Sequence, residues 1–95
     1  MTLKTVDGKY KNHNIMLYTL STCIWCKRLK SKLNESEIAY SYTDIDLVPY
    51  MEKEVLKKEL RQMKPRLAFP MMFVDEEFIP NMEIDKKIEE LIQDG

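Results

Sequence analysis

The stretch that decides the fold is Ile15-Met16-Leu17-Tyr18-Thr19-Leu20-Ser21-Thr22-Cys23-Ile24-Trp25-Cys26. Its apolar start, residues 15–18, predicts a buried strand, and the basic stretch after Cys26 predicts a helix. Thr22 is a favourable N-cap residue, so we expect Cys23 in the first turn of that helix. There its sulfur would face unpaired backbone amides and the positive end of the helix dipole, which favour the thiolate form.

The two cysteines are spaced for dithiol chemistry. Two residues separate Cys23 from Cys26, which places them about one helical turn apart. Cys23 is therefore the candidate nucleophile, and Cys26 can attack a mixed disulfide formed at Cys23 and release the partner as a thiol. The alternatives are two core cysteines or half of a zinc site, but zinc usually needs four ligands and the chain adds only His13. Iron–sulfur or copper binding across a dimer stays open, since thiolates suit both metals.

Composition narrows the class of protein. The 95 residues suffice for one domain, and 15 basic against 16 acidic residues give a net charge of -1 without any basic block. Nucleic-acid binding is therefore not expected. No apolar run reaches membrane-spanning length, and residues 1–8 lack the hydrophobic region of a signal peptide. We expect a cytoplasmic protein with no membrane partner, in a compartment where a lone cysteine pair is more often redox-active or metal-binding than structural.

Working outward from this junction, the pattern predicts the order βαβαββα. The first helix should end near Asn34, and residues 39–43 should form a strand parallel to the first. A second helix should begin at Pro49 and end before Pro65, and it should bury one apolar stripe. That stripe consists of Val48, Met51, Val55, Leu56, Leu60 and Met63.

The C-terminal third should contain a hairpin and a helix. Residues 71–74 and 77–79 read as antiparallel strands around a turn at Asp75-Glu76, and a last helix should start near Asn81. Together these elements predict an α/β domain over residues 14–95, with a four-stranded mixed sheet flanked by helices. Residues 1–13 are expected to form a tail or a short ribbon, because residues 6–10 carry a two-residue hairpin-turn signal.

Three features together resemble the glutaredoxin branch of the thioredoxin superfamily. They are the Tyr18-Thr19 lead into Cys-X-X-Cys, the element order, and Phe69-Pro70 at the start of the third strand. Over residues 14–94 the chain is most similar to archaeal and anaerobic glutaredoxin-like proteins, whose Cys-X-Trp-Cys motif is followed by a segment like Lys64-Pro65-Arg66-Leu67-Ala68-Phe69-Pro70. The resemblance implies a thioredoxin-like fold with Pro70 in the cis form beside the cysteines, leaving the Phe69 backbone free to pair with an extended substrate.

The resemblance also implies an activity and a set of substrate contacts. It implies a dithiol–disulfide oxidoreductase that acts on protein disulfides as a monomer without a bound cofactor. Glutathione, a thioredoxin reductase or a ferredoxin-linked disulfide reductase would restore the dithiol. A residue between two active-site cysteines usually lies at the rim of the site, which favours substrate contact over core packing for Trp25. The residues expected to contact substrate are Thr22, Trp25, Arg66, Phe69 and Pro70.

The chain departs from glutathione-using relatives at two positions. Leu20 occupies the place of a usual Lys, and Pro80-Asn81 replaces a Gly-Gly pair whose amides approach the glutathione carboxylate. Arg66 or Lys64 could still contact a carboxylate, so a glutathione-dependent glutaredoxin remains one alternative. The other is a metallochaperone, because copper chaperones also place Cys-X-X-Cys between a strand and a helix. Their element order, βαββαβ, is different.

Overall fold

The structure is a computed structural model that describes residues 3–94. Its elements are β1 (Lys4–Val6), β2 (Ile15–Thr19), α1 (Ile24–Glu35), β3 (Tyr40–Asp44), a 3-10 turn (Ile45–Leu47), α2 (Tyr50–Met63), β4 (Met71–Val74), β5 (Glu77–Ile79), a second 3-10 turn (Asn81–Glu83) and α3 (Ile84–Asp94). The sheet order is β1-β3-β2-β4-β5. Strand β2 runs parallel to β3 and antiparallel to β4, and the outer strands are antiparallel to their neighbours.

The predicted order βαβαββα is confirmed from β2 onward, and the fold is the α/β arrangement expected. The sheet, however, has five strands rather than four, because β1 pairs antiparallel with β3 in the register Lys4↔Tyr42 and Val6↔Tyr40. A three-residue strand carries too little periodicity to be recognised before its partner is known. Within residues 3–94, no helix is both long and apolar enough to cross a membrane.

The hairpin-turn signal around Gly8 was wrong, and the glycine serves a different purpose. A Cβ atom at this position would lie 2.5 Å from the carbonyl oxygen of Glu37, in the connection between α1 and β3. The chain just after it is held there, since the Tyr10 N–H donates to the Glu37 carbonyl at 2.9 Å and the Ala39 N–H donates to the Tyr10 carbonyl at 2.9 Å. Glycine thus permits a close backbone approach rather than a tight turn.

One face of the sheet carries the larger core. Successive side chains of a strand point to opposite faces, so Ile15 and Leu17 of β2 lie on this face while Met16 and Tyr18 lie on the other. Helices α1 and α3 cover it. The buried residues of this cluster are Ile15, Leu17, Leu29, Leu33, Ile38, Tyr40, Met72, Val74, Ile79, Ile84, Ile88 and Leu91. Helix α3 contributes Ile84, Ile88 and Leu91 to this cluster.

The second face is covered by one helix, α2, together with the loop before β4, and its core is smaller. The buried cluster there is Ile45, Leu60, Met71 and Phe73. Of the stripe predicted for α2, Val48 and Leu60 are buried, but Met51 is 76% exposed, Val55 55% and Met63 63%. The prediction was therefore too broad. A single helix on this face turns only the Leu56–Leu60 side of its apolar surface toward the sheet.

This division of α2 predicts how its side chains contribute to stability. Leu60→Ala should lower the free energy of unfolding by about 2–5 kcal/mol, because it leaves a cavity in the smaller core. Met51→Ala, on the exposed side of the same helix, should change it by less than about 0.5 kcal/mol. Urea denaturation followed by circular dichroism measures both. A cost of several kcal/mol for Met51→Ala would contradict the packing described here.

Candidate active site

The cysteines lie where the central strand β2 passes into α1. The chain turns between Leu20 and Cys23, whose N–H donates to the Leu20 carbonyl at 3.1 Å. Helix α1 begins at Ile24, and Cys23 is its N-cap, with extended backbone angles of φ -83 and ψ 120. The predicted N-cap, Thr22, was therefore wrong by one residue. The Cys23 sulfur itself accepts the Cys26 N–H at 3.2 Å, which leaves no capping role for the Thr22 side chain.

The two sulfurs sit in different surroundings. Cys23 is partly exposed, whereas Cys26 is fully buried. Burial, and after it the hydrogen bond with Cys23, raise the pKa of the Cys26 thiol from 9.0 to about 12. The Leu20 backbone N–H and the charge of Lys30 act in the opposite direction but do not offset burial. Cys26 is consequently a protonated thiol at neutral pH.

The loop before β4 approaches Cys23, as expected. The Phe69-Pro70 peptide bond is cis, and Pro70 is buried. The Phe69 carbonyl oxygen lies 4.0 Å from the Cys23 sulfur, within reach of a weak S–H donor. The predicted juxtaposition of this dipeptide with the cysteines is confirmed.

A groove of about 510 Å³ runs beside the cysteines, between α1 and the start of α3. Its lining residues are Trp25, Arg28, Leu29, Lys32, Phe69, Pro70, Asn81, Ile84 and Asp85. Three of the predicted substrate residues, Trp25, Phe69 and Pro70, thus meet in one place. Trp25 is 63% exposed, as expected for a rim residue. Thr22 and Arg66 are exposed and are not among the residues that line the groove.

Sequence reasoning missed the polar groups of this groove. The Arg28 guanidinium lies over the Trp25 ring at 4.8 Å from its centroid, and Lys32 of α1 forms an ion pair with Asp85 of α3. The i, i+3 spacing of Trp25 and Arg28 on one helix was an available signal for the first contact. Nothing in the sequence indicates the second, because it depends on how α3 packs.

A carboxylate clamp holds the turn that presents Cys23. Asp46, in the 3-10 turn after β3, accepts the Ser21 N–H at 2.9 Å on one oxygen and the Ser21 hydroxyl on the other. These two hydrogen bonds hold the pKa of the Asp46 carboxyl below its usual value. The clamp therefore remains intact throughout the neutral pH range, and it joins two segments 25 residues apart.

A second charged contact near the site is an ion pair between α1 and the end of β3. Lys30 of α1 has a side chain only 19% exposed and forms an ion pair with Asp44 at 3.0 Å. The end of β3 meets this face of the helix. His13, the other conceivable ligand beside the cysteines, lies before β2 and is hydrogen-bonded to Asp75 at 2.7 Å. Among the described residues, no group of three or more His, Cys, Asp or Glu side chains could hold a metal ion.

Comparisons with known proteins agree with this geometry. Residues 15–79 match the family model described as Glutaredoxin. Glutaredoxin 1 of Rickettsia bellii is 35% identical over 63 residues, which cover 66% of this chain and 63% of the relative, so the chain spans less than two thirds of that relative's length. A glutaredoxin-like 8.6 kDa protein of the Clostridium pasteurianum rubredoxin operon is 30% identical over 78 residues, covering 79% of this chain and 97% of the relative.

A solved archaeal structure shows the same fold over nearly the whole chain. The crystal structure of a glutaredoxin from Methanosarcina mazei matches with a TM-score of 0.78 and 26% identity, covering 96% of this chain and 88% of the other. The sequence and the structure thus both match glutaredoxins. This agrees with the features of the site, which are the mixed sheet, the Cys23-Cys26 pair at the start of α1 and the cis proline beside it. The chain belongs to the glutaredoxin family, with the thioredoxin-like fold.

Proposed function

We propose that this protein is a dithiol–disulfide oxidoreductase that reduces disulfides of other proteins, with Cys23 as the attacking thiol and Cys26 as the resolving thiol. The observation that carries the proposal is the asymmetry of the two sulfurs. Cys23 is partly exposed at a helix N-terminus, where its sulfur accepts a backbone N–H, and Cys26 is buried as a thiol one turn deeper. Membership of the glutaredoxin family supports thiol redox chemistry in general.

The reaction would proceed in two exchanges. The Cys23 thiolate attacks one sulfur of the substrate disulfide, a mixed disulfide forms, and the first substrate thiolate leaves and takes a proton from solvent. Cys26 then loses its proton to solvent and attacks the Cys23 sulfur, which displaces the second substrate thiolate. The substrate gains two electrons, and the Cys23–Cys26 pair becomes a disulfide. A partner of the disulfide-reductase class, or a small thiol, must return the two electrons.

The groove would receive the substrate beside the reacting sulfur. An extended segment can lie along the Phe69 backbone, and the exposed Trp25 ring offers an apolar surface under its side chains. Arg28 is held against that ring and presents a cation at the same edge. Thr22 and Arg66 are exposed outside the groove, so we propose them as contacts for its periphery.

The two alternatives receive less support. The Leu20 side chain is half-buried against the smaller core and offers no cation, and Pro80 lacks an N–H while its carbonyl accepts from Glu83 at 2.8 Å. Glutathione recognition would therefore lack two charge-assisted contacts. The order βαβαββα differs from the βαββαβ order of a copper chaperone. We propose a cytoplasmic monomer without a bound cofactor, reduced by a thioredoxin reductase or a ferredoxin-linked disulfide reductase.

The most direct functional test is reduction of a disulfide-bonded protein such as insulin, with dithiothreitol as the electron source. We expect catalysis by the unaltered protein and none by Cys23→Ser, because the attacking sulfur is lost. Circular dichroism should show that the variant keeps its fold. Turnover by Cys23→Ser equal to that of the unaltered protein would refute the assignment of Cys23.

The rate of alkylation should distinguish the two thiols. In the reduced protein at pH 7, brief iodoacetamide treatment should label Cys23 and leave Cys26 largely unmodified, because a thiol with a pKa of about 12 is ionised at pH 7 to the order of one part in 10⁵. Labelling of Cys26 should rise with pH, and in urea both sites should react. Peptide mass mapping measures each site. Equal labelling at pH 7, or faster labelling of Cys26, would overturn the proposed roles.

The choice of reductant is also testable. Two charge-assisted contacts are worth about 1.5–3 kcal/mol each, so glutathione recognition should be weaker than in a glutathione-using relative by at least an order of magnitude. We expect slow reduction of the oxidised protein by glutathione with glutathione reductase, and faster reduction by thioredoxin reductase or a ferredoxin-coupled reductase. NADPH consumption measures the first two, and oxidation of reduced ferredoxin measures the third. Efficient, saturable turnover with glutathione would show that other groups, such as Arg66 or Lys64, have rebuilt the site.

A further inference from the structure

At the ends of β2 and β3, against the helix that carries the cysteine pair, lies a small polar cluster that the two exchanges described above leave unused. The Lys30 ammonium group is 3.0 Å from an Asp44 carboxylate oxygen, and the Thr19 hydroxyl donates to the same oxygen at 2.6 Å. Thr19 is fully buried, and the Lys30 and Asp44 side chains are 19% and 12% exposed. The Tyr42 ring flanks the ammonium group at 3.9 Å from its centroid. Lys30 is therefore held in one place by Asp44 and Tyr42 of β3, and Asp44 is fixed in turn by Thr19 of β2.

The geometry of α1 places the Lys30 side chain of this cluster next to Cys26. Cys26 and Lys30 are four residues apart on α1, and helical side chains lean toward the N-terminus, so the Lys30 stem lies over the turn that carries Cys26. Thr19 and Asp44 are paired across β2 and β3 at the ends of the strands, just before the chain enters the active site. The ionisable groups that bear on Cys26 are the Cys23 sulfur and Lys30, with Asp44 behind the lysine.

We propose that Lys30, anchored by Asp44 and Thr19, is a positioning residue for the resolving step and acts through Cys26, whose thiolate its ammonium group stabilises. The inference rests on the proposed function, because it assigns a role within that reaction. In the mixed disulfide the Cys23 sulfur is bonded to the partner and bears no thiolate charge, so Cys26 must ionise in a buried position. A cation fixed about one helical turn away lowers the cost of that ionisation, and burial limits screening by salt.

The effect on rate follows from the balance between ionisation and nucleophilicity. Removing a nearby cation is expected to make the thiolate about tenfold rarer, while the more basic thiolate attacks about threefold faster. The net result is a resolving step slowed by about threefold. The attack by Cys23 on the incoming disulfide should not change, because its sulfur is stabilised by the Cys26 N–H rather than by Lys30.

The two exchanges can be timed separately with 4,4′-dithiodipyridine, an uncharged disulfide. Cys23 attacks it and releases the first thiopyridone in a step that depends on reagent concentration. Cys26 then forms the Cys23–Cys26 disulfide and releases the second in a step that does not. Stopped-flow absorbance should show that Lys30→Met slows only the second phase by about threefold, and that Lys30→Arg restores it. Lys27→Met, on the exposed side of the same helix, should leave both phases unchanged.

A double variant distinguishes this role from mere stabilisation of the fold. Lys30→Met leaves Asp44 without its cation, whereas Lys30→Met with Asp44→Asn removes both charges. If Lys30 acts on Cys26, the second phase stays slow in the double variant. An unchanged second phase in Lys30→Met, or its recovery in the double variant, overturns the inference. Failure of the proposed function has a different signature, since the unaltered protein would then release one thiopyridone and show no second phase.

Discussion

The Cys26 backbone N–H donates to the Cys23 sulfur across 3.2 Å, so the side chain proposed to react is also the one that caps α1. This hydrogen bond requires the chain to leave the central strand β2, turn at Leu20 and start its helix at Ile24. The Asp46 clamp on Ser21 and the two flanking strands hold that turn in place. Because the helix starts at this point, Cys26 is carried into the core, and the different surroundings of the two sulfurs follow.

Much of this arrangement could be predicted because its determinants are local. The sequence of residues 15–35 indicates an apolar strand followed by a capped basic helix. The turn residues Asp75-Glu76 indicate the hairpin at 71–79. The order of the elements then constrains the topology, since parallel strands joined by a helix form a right-handed unit. The position of the cis Phe69-Pro70 bond came from family resemblance rather than from periodicity. The N-cap was misplaced because Thr22 and Cys23 are adjacent and a cysteine sulfur is an unusual cap.

The features that could not be predicted depend on segments far apart in the sequence. The ion pair of Lys30 with Asp44 and the hydrogen bonds of Ser21 with Asp46 form only after β3 is laid beside β2. The pairing of β1 with β3 could not be predicted for the same reason, because it joins two segments that are far apart in the sequence. The width of the α2 stripe was misjudged for another reason, since the apolar pattern of a helix shows which residues could be buried and not how much surface the sheet offers them. Met51 is the clearest case, because it fits the helical period and yet lies in solvent.

The central claim is a division of labour, with Cys23 forming the bond to the partner and Cys26 breaking it. Intact mass spectrometry of single-cysteine variants with a disulfide-bonded substrate protein measures that bond directly. The Cys26→Ser variant should accumulate a one-to-one mixed disulfide through Cys23, because no thiol remains to resolve it. The Cys23→Ser variant should form no adduct, because the remaining thiol is buried and protonated. A stable adduct through Cys26, or none in the Cys26→Ser variant, would contradict the account.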